Sequence, residues 1–180
     1  MSEETQTASE MVLRPVGIVR SEIKEPILKP DSDDPELQRE FVDARKKVRK
    51  MRDKVAELVI DEELEGILDG IEDFSHILVL FWPHLIPDEK RSSLVRVHPM
   101  GRKEFPLVGI FSTCSPVRPN PVLATVVRLV ERNGNLLKVT GLDAVDGSPI
   151  IDIKPYAPGF YPSEGMRTPE WMEQIQKEFS

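Results

Sequence analysis

The chain has 180 residues, 39% hydrophobic and 31% charged, with a net charge of −7 and a pI near 5.1. That is enough for one domain with a real core, and the acidic balance excludes a broad nucleic-acid coat while leaving room for a local basic patch. The single cysteine, Cys114, excludes an intrachain disulfide and fits a reducing compartment, and no apolar run reaches the roughly 20 residues that span a bilayer.

Residues 1–10 are polar and acidic and lack the apolar centre of a signal peptide. They are expected to form a disordered lead, in a cytoplasmic protein. Val12 to Val19 reads as a strand, with Pro15 marking an edge or a start and Gly17 a bulge or a close backbone approach. Arg20 to Pro26 leaves it as a polar loop. Pro30 to Asp34 is an acidic breaker.

Pro35 to about Leu58 predicts a helix, with Asp34 as N-cap and Pro35 at its first position. Leu37, Phe41, Ala44, Val48, Met51, Val55 and Leu58 recur at spacings of three and four and form a narrow apolar seam. The other face carries Arg39, Arg45, Lys46, Lys47, Arg49, Lys50, Arg52 and Lys54. The plainer reading of these cations is a solvated face; the sharper is a phosphate-contacting patch. Overlapping the end of this pattern, Ala56 to Ile60 has the look of a short strand.

Phe74 to Trp82 is β-prone and nearly all apolar, so it predicts a buried strand with Ser75 and His76 at its start. Leu94 to His98 is a short strand with alternating valines, and His98 to Arg102 a turn. Leu107 to Phe111 is an apolar run that leads into a proline-rich loop. Val122 to Glu131 and Leu136 to Leu142 predict a hairpin across Asn133-Gly134. Ile150 to Tyr156 is a last strand, interrupted by Asp152. An acid in such a face calls for a partner, and Arg118 is the expected one. Pro169 to Phe179 predicts a short C-terminal helix capped by Thr168.

Between two of these strands lies Phe111-Ser112-Thr113-Cys114-Ser115-Pro116-Val117-Arg118-Pro119-Asn120-Pro121. Its three prolines fall within six positions, and each removes a donor and fixes φ. A stiff loop between buried strands presents side chains at low entropic cost. Thr113, Ser115 and Asn120 offer hydrogen bonds, and Arg118 a fork for a carboxylate or phosphate. The chain contains no dinucleotide-binding glycine pattern, no Walker loop, no CxxC pair and no GxSxG elbow. His76, His84 and His98 do not form a metal motif.

Several of these stretches together carry a resemblance. Pro15 to Ser21, Asp73-Phe74-Ser75-His76, Gly109 to Thr113, Ser115 to Pro121 and Leu142 to Tyr156 occur in this order. They resemble the TsaA-like domain of the TrmO family over about Met11 to Tyr161, the inserted helix apart. The combination of Arg118-Pro119-Asn120-Pro121 with Leu142-Asp143 and the later Asp152-Ile153-Lys154-Pro155-Tyr156 is highly specific.

The resemblance implies a mostly β fold, a small antiparallel barrel over 11–161 with a helical insertion at about 35–58, then a tail over 162–180 with a short helix. It implies methylation, by S-adenosylmethionine, of the exocyclic nitrogen of threonylcarbamoyladenosine beside the tRNA anticodon. It implies a homodimer with the cofactor near the subunit interface, and no metal. Residue by residue, it implies cofactor contacts for Lys24, Ser75, His76, Thr113, Cys114, Ser115, Ala124, Asp146, Gly147 and Ser148. It places Arg118, Asn120, Asp152 and Tyr156, with Lys154, at the reacting end. Ser75, Thr113 and Gly147 are expected to converge from three loops at the same strand ends.

The chain departs from the family pattern twice. Cys114 stands where the family has arginine, and Leu123 where it has glycine. Loss of the arginine removes a bidentate carboxylate donor, for which Arg102 or Arg20 is the expected substitute. Against the same pattern the bacterial-type C-terminal extension is expected to be absent, with the inserted basic helix taking over its tRNA contacts. Two other readings stand beside it: a regulatory module that binds S-adenosylmethionine or a nucleotide but has lost transfer, and a small-molecule methyltransferase.

Overall fold

The computed structural model describes residues 11–26, 42–43, 46–47, 49–64, 66–91, 94–162 and 164–178. The strands among them are β1 (Gly17–Arg20), β2 (Ala56–Ile60), β3 (His76–Phe81), β4 (Arg96–Val97), β5 (Val108–Gly109), β6 (Leu123–Asn133), β7 (Leu136–Thr140) and β8 (Pro149–Pro155). Besides helical residues within 42–52, α1 (Asp88–Arg91) and α2 (Glu170–Glu178) accompany them. Six strands close into a barrel in the order β1-β2-β7-β6-β3-β8. Every pairing is antiparallel. β4 and β5 form a separate ribbon in the long excursion between β3 and β6.

Period-two patterning decides which side chains fill the barrel. Ala56, Leu58 and Ile60 of β2, Ile77, Val79 and Phe81 of β3, and Leu137 and Val139 of β7 are all buried. Val19, Val127 and Ile150 complete the same core. Each large side chain contributes roughly 1.5–3 kcal/mol by leaving water. Small barrels of about eight strands are only just wide enough for side chains to fill. With six, this barrel has no lumen for a ligand, so chemistry belongs at its ends.

The hairpin turns at Asn133-Gly134, where Gly134 takes φ 58°. β1 is shorter than the apolar run Val12–Val19. Residues 11–16 are not strand, although the Val16 N–H still donates to the Ile150 carbonyl at 2.8 Å. Gly17 answers the expectation of a close approach: a Cβ there would lie 2.2 Å from the Val59 carbonyl oxygen.

The inserted helix ends earlier than expected. Residues 42, 43, 46, 47 and 49–52 are helical, and the chain then turns out into β2. The stretch from Val55 to Leu58 is therefore not helix. Arg52 is pinned, because the Gly141 N–H donates to its carbonyl at 2.7 Å and its Nε donates to the Gly141 carbonyl at 2.9 Å. Beyond that point the alternation Ala56, Leu58, Ile60 wins, since it fills the barrel beside β7. The expected cap Asp34-Pro35 and the seam residues Leu37, Phe41, Ala44 and Val48 lie outside the described residues, as do residues 1–10. At α2, Thr168 Oγ1 bonds Glu173 Oε1 at 3.4 Å, while the Pro169 carbonyl accepts the first helical N–H groups.

Antiparallel closure sorts the loops. One barrel end gathers the exit of β1, the approach to β2, the exit of β3, the approach to β6 and the β7–β8 turn. The other end holds the approaches to β1 and β3, the β6–β7 hairpin and the exit of β8. The six residues of β3 separate the two by roughly 17 Å at a strand rise of about 3.3 Å per residue.

Candidate active site

A cleft of about 790 Å³ opens at the first end. Ile23 from the β1 loop, Pro83 and Ile86 after β3, Pro116, Leu123 and Val145 give it apolar walls. Arg49, Arg52 and Asp53 from the inserted helix and its exit, with Asp143 and Ser148 from the β7–β8 turn, give it polar ones. Ile175 and Gln176 of α2 complete the rim. α2 is tied down by Arg102, whose Nη1 meets both carboxylate oxygens of Glu178 at 2.8 and 2.6 Å.

The β1 loop and the β7–β8 turn are one cross-linked unit. Lys24 Nζ pairs with Asp146 Oδ2 at 2.8 Å, and the Ser21 N–H donates to Asp146 Oδ1 at 2.9 Å. Ser21 Oγ donates to the Ala144 carbonyl at 2.9 Å, and the Gly147 N–H to the Val19 carbonyl at 2.8 Å. The Lys24 ammonium, aided by the Ser21 N–H, holds the Asp146 carboxyl below the usual carboxylate range. Gly147 adopts φ 78°, and a Cβ there would sit 3.7 Å from His84 Nε2. Ser148 is wholly buried with its Oγ 3.4 Å from His84 Nδ1. Lys24, Asp146, Gly147 and Ser148, expected together, are thus brought together.

The proline-rich loop is rigid for reasons its sequence announces. Thr113 Oγ1 donates to the Ile110 carbonyl at 2.9 Å and accepts the Ser115 N–H at 3.3 Å. Ser115 Oγ accepts the Val117 N–H at 3.2 Å. Pro121 is fully buried and anchors the loop's far end. Cys114 is exposed and, with Pro116, faces the cleft. The Arg118 guanidinium lies over the Phe111 ring, 5.6 Å from its centroid. Asn120 is exposed in the same loop, and Ala124 lies one residue inside β6, opposite Leu80.

Ser75 and His76 lie elsewhere. They stand at the start of β3, at the barrel end opposite the cleft, with Ser75 Oγ 2.9 Å from His76 Nδ1. Tyr156 shares that end, its N–H donating to the His76 carbonyl at 3.1 Å and its ring stacked on Tyr161 at 4.7 Å. The loops of Thr113 and Gly147 therefore converge within one chain, and the loop of Ser75 does not.

Asp152 faces out from β8 opposite Leu80. Its partner is Lys154, at 2.5 Å, and not Arg118. The Asp152 side chain keeps 44% exposure, so it needs no buried counter-ion. Lys154 is pushed above its ordinary pKa by the same contact.

Among the polar cleft residues that escaped sequence reasoning as site residues are Arg49, Arg52, Asp53 and Asp143. The arginines were visible as a basic face, but only the Gly141 contacts show that this face turns toward the cleft. Asp143 accepts from Thr125 Oγ1 at 2.7 Å. Among the described residues no group of three His, Cys, Asp or Glu is placed to hold a metal, and no helix is long and apolar enough to cross a membrane.

A sequence profile of the tRNA-methyltransferase O N-terminal domain matches residues 40–160. The chain belongs to the tRNA-methyltransferase O family. It is 42% identical over 147 residues to a probable S-adenosyl-L-methionine-binding protein of Methanothermobacter thermautotrophicus, covering 82% of this chain and 90% of that one. It is 38% identical over 92 residues to a mouse tRNA (adenine(37)-N6)-methyltransferase, covering 51% of this chain but 21% of the mouse protein. A crystal structure of TrmO from Pseudomonas aeruginosa superposes with a TM-score of 0.64 at 23% identity, over 92% of this chain, which shows the shared fold. The chain spans 63% of that structure's length.

Against the TrmO family pattern, both departures fall in one place. Cys114 and Leu123 line the same cleft. Neither expected substitute for the missing arginine is there. Arg20 faces Glu57 at 3.9 Å, and Arg102 is held by Glu104 and Glu178. The guanidinium groups that do line the cleft are Arg49 and Arg52.

Proposed function

We propose that this protein is a methyltransferase that uses S-adenosylmethionine to methylate the N6 nitrogen of threonylcarbamoyladenosine beside the anticodon of tRNA. The observation that carries the reading is the cleft itself: apolar walls, carboxylates and two arginines meet at the loops that bear the family motifs. Pro116, Leu123 and Val145 suit an adenine and a methyl group. Asp53 and Asp143 suit a cation, and Arg49 or Arg52 suits a carboxylate.

When bound, the sulfonium donor supplies an electrophilic methyl group. The chain's own contribution is positioning. The Lys24–Asp146 pair and the Ile110–Thr113–Ser115 hydrogen bonds hold two walls of the cleft at fixed spacing. Asp152, held by Lys154 on the outer face of β8 and outside the cleft, would accept the proton that leaves N6 only where a second copy brings it to that copy's cleft. Arg49 and the neighbouring Lys46, Lys47 and Lys50 supply phosphate contacts along the cleft's edge.

The working form is a homodimer. The outer faces of β3 and β6 carry Leu78, Leu80, Ala124 and Val126 side by side, an apolar surface for a second copy. Such a copy would bring its own Ser75, His76 and Tyr156 toward this cleft. The single exposed cysteine and the tRNA substrate both fit the cytoplasm.

The test is transfer of labelled methyl from S-adenosylmethionine to tRNA with and without the threonylcarbamoyl group, beside calorimetry and light scattering. Label confined to the modified tRNA, micromolar donor binding and a dimeric mass are expected. A folded protein that binds neither the donor nor its demethylated product overturns the reading.

A further inference from the structure

We propose that Phe111 and Arg118 form a stacking platform for an unpaired nucleobase of the RNA strand, next to the base that enters the cleft. The inference rests on the tRNA reading and adds to it a base-binding subsite outside the cleft.

Phe111 is 73% exposed, whereas Phe81 and Phe105 are 3% and 4% exposed. Its exposure is not that of a loose loop. Its neighbour Ile110 is buried, and the Ile110 carbonyl accepts both the Thr113 N–H at 3.1 Å and Thr113 Oγ1 at 2.9 Å. The Ile110 N–H donates to the Val95 carbonyl at 2.9 Å, which ties the turn to the β4–β5 ribbon. The fold thus fixes a large apolar ring in water and gains no burial from it. Such a ring suits a ligand that supplies another flat apolar face.

The surroundings select the ligand. Arg118 lies at cation–π distance over the ring. Arg96, paired with Gly109 across the ribbon, places its Nη2 on the Leu107 carbonyl at 3.1 Å. Among the described residues neither guanidinium is paired with a carboxylate. One such cation over the exposed ring and a second on the ribbon to which the ring's turn is tied, in a chain of net charge −7, attract a polyanion. Unpaired RNA bases stack on aromatic rings and guanidinium planes while their phosphates meet cations. A second copy of this chain is a poorer occupant, because an isologous contact would bring these arginines toward their own equivalents.

Position agrees as well. Phe111 is three residues from Cys114, so the two Cα atoms are at most about 11 Å apart. Cys114 lines the cleft. A base on the platform would belong to a nucleotide near the one whose base is in the cleft.

The experiment uses the full chain and an anticodon stem-loop RNA carrying 2-aminopurine beside the target adenosine. Fluorescence quenching reports stacking, anisotropy reports affinity, and calorimetry with S-adenosylmethionine reports the cofactor site. Phe111→Ala is expected to abolish the quench and weaken RNA binding at least about fivefold, with cofactor affinity and dimer mass unchanged. Phe111→Trp is expected to restore both RNA readouts, and Arg118→Lys, which keeps charge but loses the plane, to restore neither fully. Unchanged quench and affinity in Phe111→Ala overturn the platform, and a changed oligomeric mass assigns the ring to a subunit contact instead. Failure of the unaltered protein to bind the RNA at all overturns the tRNA reading, and the platform with it.

Discussion

Gly17→Ala tests whether the barrel closes as described. The added methyl group would lie 2.2 Å from the Val59 carbonyl oxygen, 2.8 Å from Ile60 Cα and 3.0 Å from the Val59 carbonyl carbon. All three are backbone atoms of β2, so no side chain can rotate away. Ordinary contact begins near 3.4 Å, so β1 and β2 must part by about 1.2 Å. β2 is held from behind by β7, and Gly17 itself also pairs with Ile150 at the β1–β8 seam. Backbone shifts forced by an inserted methylene cost about 1–3 kcal/mol, and each ladder bond weakened at the seam costs about 0.5–1.5 kcal/mol more. A loss of about 3 kcal/mol lowers Tm by roughly 6–12 °C in a chain of this size. The control is Gly109→Ala, where a Cβ meets nothing within 4 Å and the backbone is extended at φ −63°. Its Tm should stay within about 2 °C of the original or rise slightly. Calorimetric melts that show the same Tm for both variants would refute the close β1–β2 approach.

Three further outcomes are expected. Replacing Lys46, Lys47 and Lys50 with Gln should lower the slope of log K for tRNA against log salt by about 2 while leaving cofactor binding intact; an unchanged slope makes that face structural only. Asp146→Asn should destabilise the protein above about pH 5. Because the Lys24 contact lowers the folded-state pKa of Asp146, its contribution is present above the unfolded value near 4 and is lost as pH falls through the lower folded value. The gap between the two proteins' melting curves should therefore close in acid, and a gap independent of pH would rule out the ion pair as its cause. Glu178→Gln breaks the fork on Arg102, which is partly exposed and worth about 0.5–1 kcal/mol. Amide exchange in Glu173–Glu178 should quicken about two- to fivefold, and no change would show that α2 is held by Trp171, Met172 and Ile175 alone.

The strands were legible because their patterns are driven by burial. Phe74–Trp82 could be little else, and Asn133-Gly134 marks its own turn. The inserted helix was misjudged at its end because Val55 and Leu58 continue a spacing of four and three from Met51, while Leu58 also satisfies the strand period by alternating with Ala56 and Ile60. Only the hydrogen bonds between Arg52 and Gly141, 89 residues apart, decide in favour of the strand. Asp152 was assigned Arg118 as partner because isoleucines flank it in sequence and suggest an apolar face. The register shift between Leu80 and Phe81 turns Ile153 to the core and leaves Asp152 and Lys154 outside.

Which residues share a barrel end is a harder question for sequence. Ser75 and the proline-rich loop both flank apolar strands, and each motif is polar. Only the antiparallel β3–β6 register shows that the start of β3 and the approach to β6 lie at opposite ends. The motif residues thus form two groups in one chain, at opposite barrel ends, and the homodimer is proposed as a way to unite them.

The two departures from the family pattern make physical sense together. Arginine to Cys114 removes volume and a positive charge from the cleft wall. Glycine to Leu123 returns apolar volume to the same cleft. The result is a wall less charged and more apolar than the pattern implies. The lost guanidinium has a counterpart in Arg52, which arrives from the inserted helix and is fixed at the cleft by its bonds to Gly141. On the proposed reading, the same inserted element would offer Arg52 to the cofactor's carboxylate and Lys46, Lys47 and Lys50 to the RNA's phosphates.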